Sequence, residues 1–296
     1  MIVDNLYGFS VIVTKLRAYF ELLKFRLSLL VTFSCGFGYV LASSGVMNWW
    51  HFGMMCFGGF LVSGASVTIN QIIEKDLDKL MSRTMNRPLP TGRVSSNEAA
   101  VFAFICGAAG LSILMISTNM LTTMLSLLSM ILYSFVYTPL KRVGPIAVFV
   151  GAIPGALPPL LGWTAAAGSI TYEALIIFGI QFIWQFPHFW AIAWVSDEDY
   201  KNAGFKLLPS GGQKDLNTAI QIMIYTLFLI PLGLLPAKFG ITGIDSAIVV
   251  TLCGVLFLSQ TFALMKNGSR RSALKIMFGS FLYLPIVQIA YLWDKV

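Results

Sequence analysis

Nine apolar runs, each close to the roughly 20 residues that a helix needs to cross a bilayer, constrain this chain more than any other feature. Most of its length lies in these runs, so that 57% of the 296 residues are hydrophobic and only 11% are charged. Soluble domains carry about 25% charged residues. The sequence therefore predicts an all-α, polytopic membrane protein with helices over residues 27–46, 52–73, 98–117, 118–137, 143–163, 173–195, 217–236, 244–265 and 273–293.

The basic residues lie almost entirely on one side of this arrangement. Of the 20 Lys and Arg, 18 fall in the N-terminal arm or in the loops after the second, fourth, sixth and eighth predicted helices; the others are Lys238 and Lys295. Basic loops stay on the cytoplasmic side of a membrane. We therefore expect the N-terminus inside, the C-terminus outside, and a single domain over residues 1–296. Residues 1–26 form an arm that we expect to lie along the membrane surface.

A charged segment over residues 70–93 follows the second predicted helix and reads NQIIEKDLDKLMSRTMNRPLPTGR. Ionisable residues at a membrane boundary often mark a functional site. At 100° per residue, Asn70, Glu74 and Asp78 share one helix face, and Mg²⁺ takes one or two carboxylates together with water and phosphate oxygens. This face is a candidate magnesium site. A loop whose charges only set the topology would have the same composition, so the spacing alone leaves both interpretations open.

Two further charge patterns point to a phosphate-bearing substrate. Arg83, Arg87 and Arg93 carry fixed charges whose planar geometry suits phosphate oxygens. A second charged segment, residues 197–206, begins with three acidic residues and follows the sixth predicted helix on the same membrane side. Two acidic clusters would repel a diphosphate unless metal ions lay between them. The pattern indicates ionisation of an organic diphosphate at a membrane interface.

Four sequence blocks occur in the order typical of a known family. They are SRTMNRPL at 82–89, YTPLKR at 137–142, GAIPGALPPLLGW at 151–163, and WQFPHFWAIAW at 184–194 followed by DYKNAGFKLLP at 199–209. The chain resembles the intramembrane prenyltransferases of the UbiA superfamily. Within them it is similar to the branch of the haem O synthases, or protohaem IX farnesyltransferases. Relatives that prenylate quinone precursors carry a second acid where this chain has Ala203.

The resemblance implies a fold, a reaction and a set of site residues. The fold is a nine-helix bundle around a central cavity. The reaction is transfer of a farnesyl group from farnesyl diphosphate to the vinyl group of haem B, with addition of water, to make haem O. Asn70, Glu74, Asp78 and Asp199 are implied as the catalytic, Mg²⁺-binding residues, although bacterial relatives often have Asp in place of Glu74. The residues implied for substrate binding are Arg83, Arg87, Lys141, Lys206 and His188.

The resemblance also implies a cofactor, partners and a location. Mg²⁺ is the cofactor, whereas haem B is a substrate. Membrane lipid surrounds the protein, a haem A synthase or a terminal oxidase assembly is a candidate partner, and nucleic acid is not expected. The location is the bacterial inner membrane, with many membrane passes and an active site that faces the cytoplasm.

Several alternatives stay open at this point. His188 follows Pro187, so it either hydrogen-bonds a backbone carbonyl that the proline frees or contacts haem through the iron or a propionate. A related enzyme would prenylate an aromatic quinone precursor instead of haem. A membrane transporter or a haem-binding assembly protein is the third alternative, although transporter sites usually lie at the bilayer midplane and these acidic clusters lie at helix ends.

Overall fold

The computed structural model describes residues 13–296, and within them nine helices are long and apolar enough to cross a membrane. The predicted all-α class and the predicted number of helices are confirmed for this part of the chain. The helices are α1 (Phe25–Ala42), α2 (Trp49–Asp78), α3 (Ser96–Ser117), α4 (Met120–Leu140), α5 (Ile146–Ala167), α6 (Tyr172–Val195), α7 (Leu216–Lys238), α8 (Ile244–Asn267) and α9 (Arg270–Trp293).

Polar caps set the helix ends, which the pattern of hydrophobicity gives only approximately. The Asn48 side chain accepts a hydrogen bond from the His51 amide at 3.1 Å, so α2 begins three residues before the predicted start. Ser95 and Glu98 form a capping box at the start of α3. At its other end α2 continues to Asp78, five residues beyond the prediction. The charged end of the second helix is therefore part of one continuous α-helix.

The nine helices form a closed ring in which each packs against its neighbour in the chain and α9 returns to α1. Two helices far apart in sequence, α1 and α5, also pack directly against each other. A Cβ atom at Gly38 would lie 1.9 Å from the carbonyl oxygen of Pro159, and one at Gly162 would lie 1.8 Å from that of Cys35. Only glycine fits at these two positions, as expected where membrane helices pack backbone to backbone.

A cavity of about 310 Å³ lies inside the ring, with walls from α1, α2, α4, α5, α6 and α9. The predicted central cavity is thus present. Helix α5 contains Pro154, Pro158 and Pro159, and it is the most deeply buried of the nine. Helix α4 includes a π-helical turn, Leu132–Tyr137. Such turns occur frequently at functional sites, and this one brings Tyr133 and Tyr137 into the cavity wall.

The N-terminal arm is described in part, since residues 1–12 lie outside the described chain. Residues 13–22 are helical. Lys15 pairs with Glu98 at the start of α3, and Glu21 pairs with Arg93 at 2.8 Å. These contacts tie the arm to the loop that carries the charged segment. The position of the arm on the membrane surface stays a prediction.

Candidate active site

The last turns of α2 present three buried polar side chains on one face. Asn70 is 1% exposed, Glu74 4% and Asp78 0%. The predicted grouping of these residues on one helix face is therefore present in the structure. Buried carboxylates need a compensating charge, and both have one. Lys141 Nζ lies 2.8 Å from Glu74 Oε1, and Arg87 Nη1 lies 2.9 Å and 2.8 Å from the two carboxylate oxygens of Asp78.

The electrostatic setting of Lys141 follows from this pairing. Burial alone would lower the pKa of Lys141, but Glu74, together with Tyr133 and Tyr200, outweighs burial, and the pKa lies above its ordinary value. The ammonium group also lies 4.8 Å from the centre of the Tyr137 ring, which favours a cation. Lys141 is therefore a fixed positive charge at the point where the charged end of α2 meets the cavity wall.

The π-helical turn of α4 fixes the orientation of Asn70. The Thr138 hydroxyl donates to the carbonyl of Tyr133 at 2.8 Å, so it can only accept from Asn70 Nδ2, which lies 3.0 Å away. The amide oxygen of Asn70 is thereby turned away from Thr138 and towards Lys24, whose Nζ lies 3.5 Å from it. An amide oxygen with no stronger donor nearby is available to a cation.

Lys24 belongs to this cluster, although the sequence predicts it only as part of the N-terminal arm. Its backbone is left-handed, with φ of 44°, and it is the only residue other than glycine with positive φ among the described residues. This conformation starts α1 while turning the amine inward. Burial lowers the pKa of Lys24 to about 7, and the charges of Arg87 and Lys141 act in the same direction. Sequence patterns carry no signal for an isolated left-handed residue of this kind.

The second acidic segment meets the first at the same end of the bundle. Asp199 Oδ1 accepts hydrogen bonds from the Ser82 amide at 2.8 Å and from the Ser82 hydroxyl at 2.9 Å. Arg83 Nε lies 4.0 Å from Asp199 Oδ2, and its guanidinium stacks over Tyr200 at 4.5 Å. The two charged segments, which the sequence predicts on the same membrane side, are thus in direct contact. Burial alone would raise the pKa of Asp199, but the Ser82 and Arg83 interactions bring it below its ordinary value.

The structure does not bring all the predicted residues together. Within the described chain, no three His, Cys, Asp or Glu side chains lie close enough to share a metal ion. Asp199 is bound to Ser82 instead of joining Glu74 and Asp78. Lys206 is exposed and makes no ion pair with a described residue. The roles of these residues in metal and substrate binding stay predictions.

His188 lines the cavity from α6. Its Nδ1 lies 2.8 Å from the hydroxyl of Ser280 on α9, and its ring stacks on Trp184 at 4.5 Å. The alternative in which His188 bonds a backbone carbonyl freed by Pro187 is therefore wrong about its partner, because a hydroxyl from another helix takes that place. Its contact with haem stays a prediction.

The cavity and the charged cluster are contiguous. Tyr137 lines the cavity and also lies beside Lys141. The Tyr137 side chain therefore lies between the apolar cavity and the ion pairs. The described cavity walls contain no Asp, Glu, Lys or Arg. A ligand with a charged head and an apolar body would match this division.

Comparisons with known proteins agree with one another. A model of the UbiA prenyltransferase family matches residues 29–284. The protoheme IX farnesyltransferase of Cytophaga hutchinsonii is 51% identical to this chain over 283 residues, which cover 96% of this chain and 99% of the relative. The protoheme IX farnesyltransferase of Flavobacterium psychrophilum is 46% identical over 282 residues, which cover 93% of each chain.

Solved structures resemble this fold over nearly its whole length. A digeranylgeranylglyceryl phosphate synthase superposes with a TM-score of 0.79 at 21% identity, covering 95% of this chain and 98% of its own. A UbiA homologue from Archaeoglobus fulgidus bound to GPP and Mg²⁺ has a TM-score of 0.64 at 18% identity, covering 93% and 99%. At these identities the likeness shows a shared fold.

Proposed function

The chain belongs to the UbiA prenyltransferase family, and on that premise we propose that it makes haem O by transferring a farnesyl group from farnesyl diphosphate to a vinyl group of haem B. The observation that carries the proposal is the 51% identity to a protoheme IX farnesyltransferase over 99% of that relative. The division into ion pairs and an apolar cavity supports it. The charged diphosphate of a prenyl diphosphate matches the ion pairs, and its apolar prenyl chain matches the cavity.

Asn70, Glu74 and Asp78 are the residues that would hold Mg²⁺, with Asp199 as a ligand from the facing loop. Their chemistry fits the ion, because Mg²⁺ uses oxygen ligands and needs only one or two carboxylates when a substrate phosphate and waters supply the rest. The amide nitrogen of Asn70 donates to Thr138, so the amide oxygen is already turned away from that residue. A bound Mg²⁺ would supply positive charge that stabilises the diphosphate leaving group.

The basic residues of the site would receive the diphosphate. Arg87 and Lys141 are paired with Asp78 and Glu74 in the protein alone. These two cations exchange a carboxylate for phosphate oxygens when the substrate binds, and Arg83 and Lys206 add positive charge from the loops. Their charge stabilises the leaving group where negative charge develops.

The bond changes balance with water as the third reactant. The bond between C1 of the farnesyl group and the diphosphate oxygen breaks, and the diphosphate keeps the electron pair. The π electrons of the haem vinyl group form the new bond to C1. Water adds to the resulting cation and loses a proton, which leaves a hydroxyethylfarnesyl group. The aromatic faces of Tyr133 and Tyr137 in the cavity wall suit a passing carbocation.

The site works from the cytoplasmic side of a bacterial inner membrane in this proposal. The excess of Lys and Arg in the loops at the charged end supports that orientation. Haem B and farnesyl diphosphate are both amphipathic, so both reach the site from the membrane surface. A haem A synthase or terminal oxidase assembly is the partner class that would consume the product.

The product of the purified protein tests the proposal. Protein in detergent is incubated with haem B, farnesyl diphosphate and Mg²⁺ in ¹⁸O-labelled water, and the porphyrins are analysed by mass spectrometry. We expect a porphyrin heavier than haem B by a farnesyl group and one labelled water, and no such species when EDTA is present. The absence of that product, an unlabelled product, or the same yield with EDTA would each contradict the proposed reaction.

A further inference from the structure

Ser280 on α9 holds two side chains of α6 at the cavity wall. Its hydroxyl lies 2.8 Å from His188 Nδ1, and its carbonyl accepts a hydrogen bond from Trp184 Nε1 at 3.1 Å. Trp184 and His188 are one turn apart on α6, and their rings stack at 4.5 Å with an angle of 20° between planes. Ser280 is itself fully buried. The His188 imidazole is therefore fixed by a hydrogen bond from one edge to Ser280 and by stacking of one face on Trp184.

The hydrogen bonds of Ser280 determine which imidazole nitrogen carries the proton. The Ser280 hydroxyl donates to the carbonyl of Met277 at 2.6 Å, and a hydroxyl has one hydrogen to give. It therefore accepts from His188 Nδ1, which must be protonated. In the neutral ring Nε2 then has a free lone pair. Metal-binding histidines are fixed in this way, with the second nitrogen donating to a neighbouring acceptor.

The Nε2 atom of this cavity-lining histidine has no hydrogen-bond partner among the described residues. This atom is also not fully buried, so a ligand can reach it. His188 is a cavity-lining residue. Its other ring neighbours, Phe189 and Phe281, are apolar. The Nε2 lone pair is therefore available to a ligand in the cavity.

We infer that His188 Nε2 is an axial ligand to the iron of the porphyrin substrate, and that Ser280 is the positioning residue that holds this tautomer. The inference rests on the proposed function, because that function supplies the iron porphyrin. Iron suits the site better than a propionate does, since the described cavity walls carry no Lys or Arg to pair with a carboxylate. The iron bond anchors the macrocycle in the chamber and leaves its vinyl edge unbound.

Absorption and EPR spectroscopy of bound haem test the ligand without turnover. Haem B is titrated into wild-type protein and into the His188→Ala variant, and metal-free protoporphyrin IX is titrated into both. We expect the variant to lose the histidine-ligated spectrum and at least about tenfold in haem affinity, while metal-free porphyrin binds both proteins equally. Added imidazole should restore the ligated spectrum. Equal haem spectra and affinities, or an equal loss for metal-free porphyrin, would overturn the inference.

The Ser280→Ala variant tests the positioning role and also serves if His188→Ala does not fold. Loss of the hydroxyl leaves His188 free to change tautomer, so we expect haem affinity to fall about 10- to 100-fold, as for other partners of metal ligands, with metal-free porphyrin unaffected. Thr226→Val is the matched control, because it removes a buried hydroxyl of α7 that bonds only the Ile222 carbonyl of its own helix. Wild-type haem affinity in Ser280→Ala would refute the role of Ser280.

Failure of this inference and failure of the proposed function give different results. If wild-type protein farnesylates haem B and the His188→Ala spectrum is unchanged, the axial ligand is wrong and the reaction stands. If wild-type protein binds haem with a spectrum that depends on His188 but makes no farnesylated product, the ligand stands and the reaction is wrong.

Discussion

At the scale of single residues, the site is a set of opposite charges that satisfy one another. Each acidic side chain that the sequence predicts as a metal ligand lies beside a basic side chain that it predicts as a diphosphate ligand. Buried carboxylates could not stay ionised without such partners. The three pairs are Asp78 with Arg87 at 2.8 Å, Glu74 with Lys141 at 2.8 Å, and the looser pair of Asp199 with Arg83 at 4.0 Å.

Replacing Asp78 should remove catalysis without removing the fold. The Asp78→Asn variant keeps the size of the side chain but loses the charge that would bind Mg²⁺, so we expect turnover to fall about 100-fold or more. Asp76→Asn is the control, because Asp76 is exposed and pairs only with Lys79, and such surface pairs contribute about 1 kcal/mol or less. Turnover is measured on protein that elutes as a single peak in gel filtration. Equal turnover in the two variants would remove Asp78 from the site.

Thr138 should control metal affinity through Asn70. In Thr138→Val the Asn70 amide loses the acceptor that orients it, so we expect the Mg²⁺ concentration for half-maximal activity to rise about tenfold. Thr138→Ser keeps the hydroxyl and should restore the wild-type value. Mn²⁺ binding followed by EPR gives the same comparison without turnover. Identical metal affinities in the Val and Ser variants would show that Thr138 only packs.

At the scale of helices and loops, the sequence predicted the elements better than their junctions. The spacing of Asn70, Glu74 and Asp78 was readable because it repeats with the helical period. The inward turn of Lys24 depends on one left-handed residue, and the contact of Thr138 with Asn70 depends on a π-helical turn that shifts the register of α4. Neither the left-handed residue nor the π-helical turn produces a periodic pattern in the sequence. The bond from Ser82 to Asp199 joins residues 117 positions apart, which only the folded ring brings together.

The junction of α1 with α5 should not tolerate a side chain. In Gly162→Ala the new Cβ would lie 1.8 Å from the carbonyl oxygen of Cys35, and backbone atoms cannot move aside as a flexible side chain can. We expect a loss of stability of about 1–3 kcal/mol or more. Thermal denaturation in detergent measures it.

Gly179→Ala is the matched control for Gly162→Ala. Gly179 lies within α6, another membrane helix, and a Cβ atom there would meet nothing within 4 Å. Alanine favours the helix by up to about 1 kcal/mol, so this variant should melt at or slightly above the wild-type temperature. Similar melting temperatures for the two variants would contradict the close packing of α1 on α5.

At the scale of the whole molecule, the helix bundle contains a charged end and an apolar cavity, which meet at Tyr137. The ion pairs occupy one end of the bundle, the apolar cavity lies inside it, and Tyr137 touches both. A substrate that spans the junction would have its reacting carbon near that ring. In the proposed reaction, Mg²⁺ and the diphosphate would occupy the charged end while the farnesyl chain and the porphyrin would occupy the cavity.

Mg²⁺ and the prenyl diphosphate should bind cooperatively. Either ligand alone must break the ion pairs and leave buried partners unpaired, whereas both together give every charge a new partner. We expect each ligand to raise the affinity of the other by a factor on the order of 10 to 100, and by the same factor in both directions. Titration calorimetry with Mg²⁺ and an unreactive farnesyl thiodiphosphate measures this. Independent affinities would contradict the exchange of partners.

The acceptor preference of the wild-type protein tests the central claim most directly. Haem B and an aromatic quinone precursor are supplied together at equal concentration with farnesyl diphosphate and Mg²⁺, and all prenylated products are identified by mass. Farnesylation of haem B alone, with water added, is the predicted result. Prenylation of the quinone precursor with haem B unchanged would contradict the proposed function and assign the protein to another branch of its family.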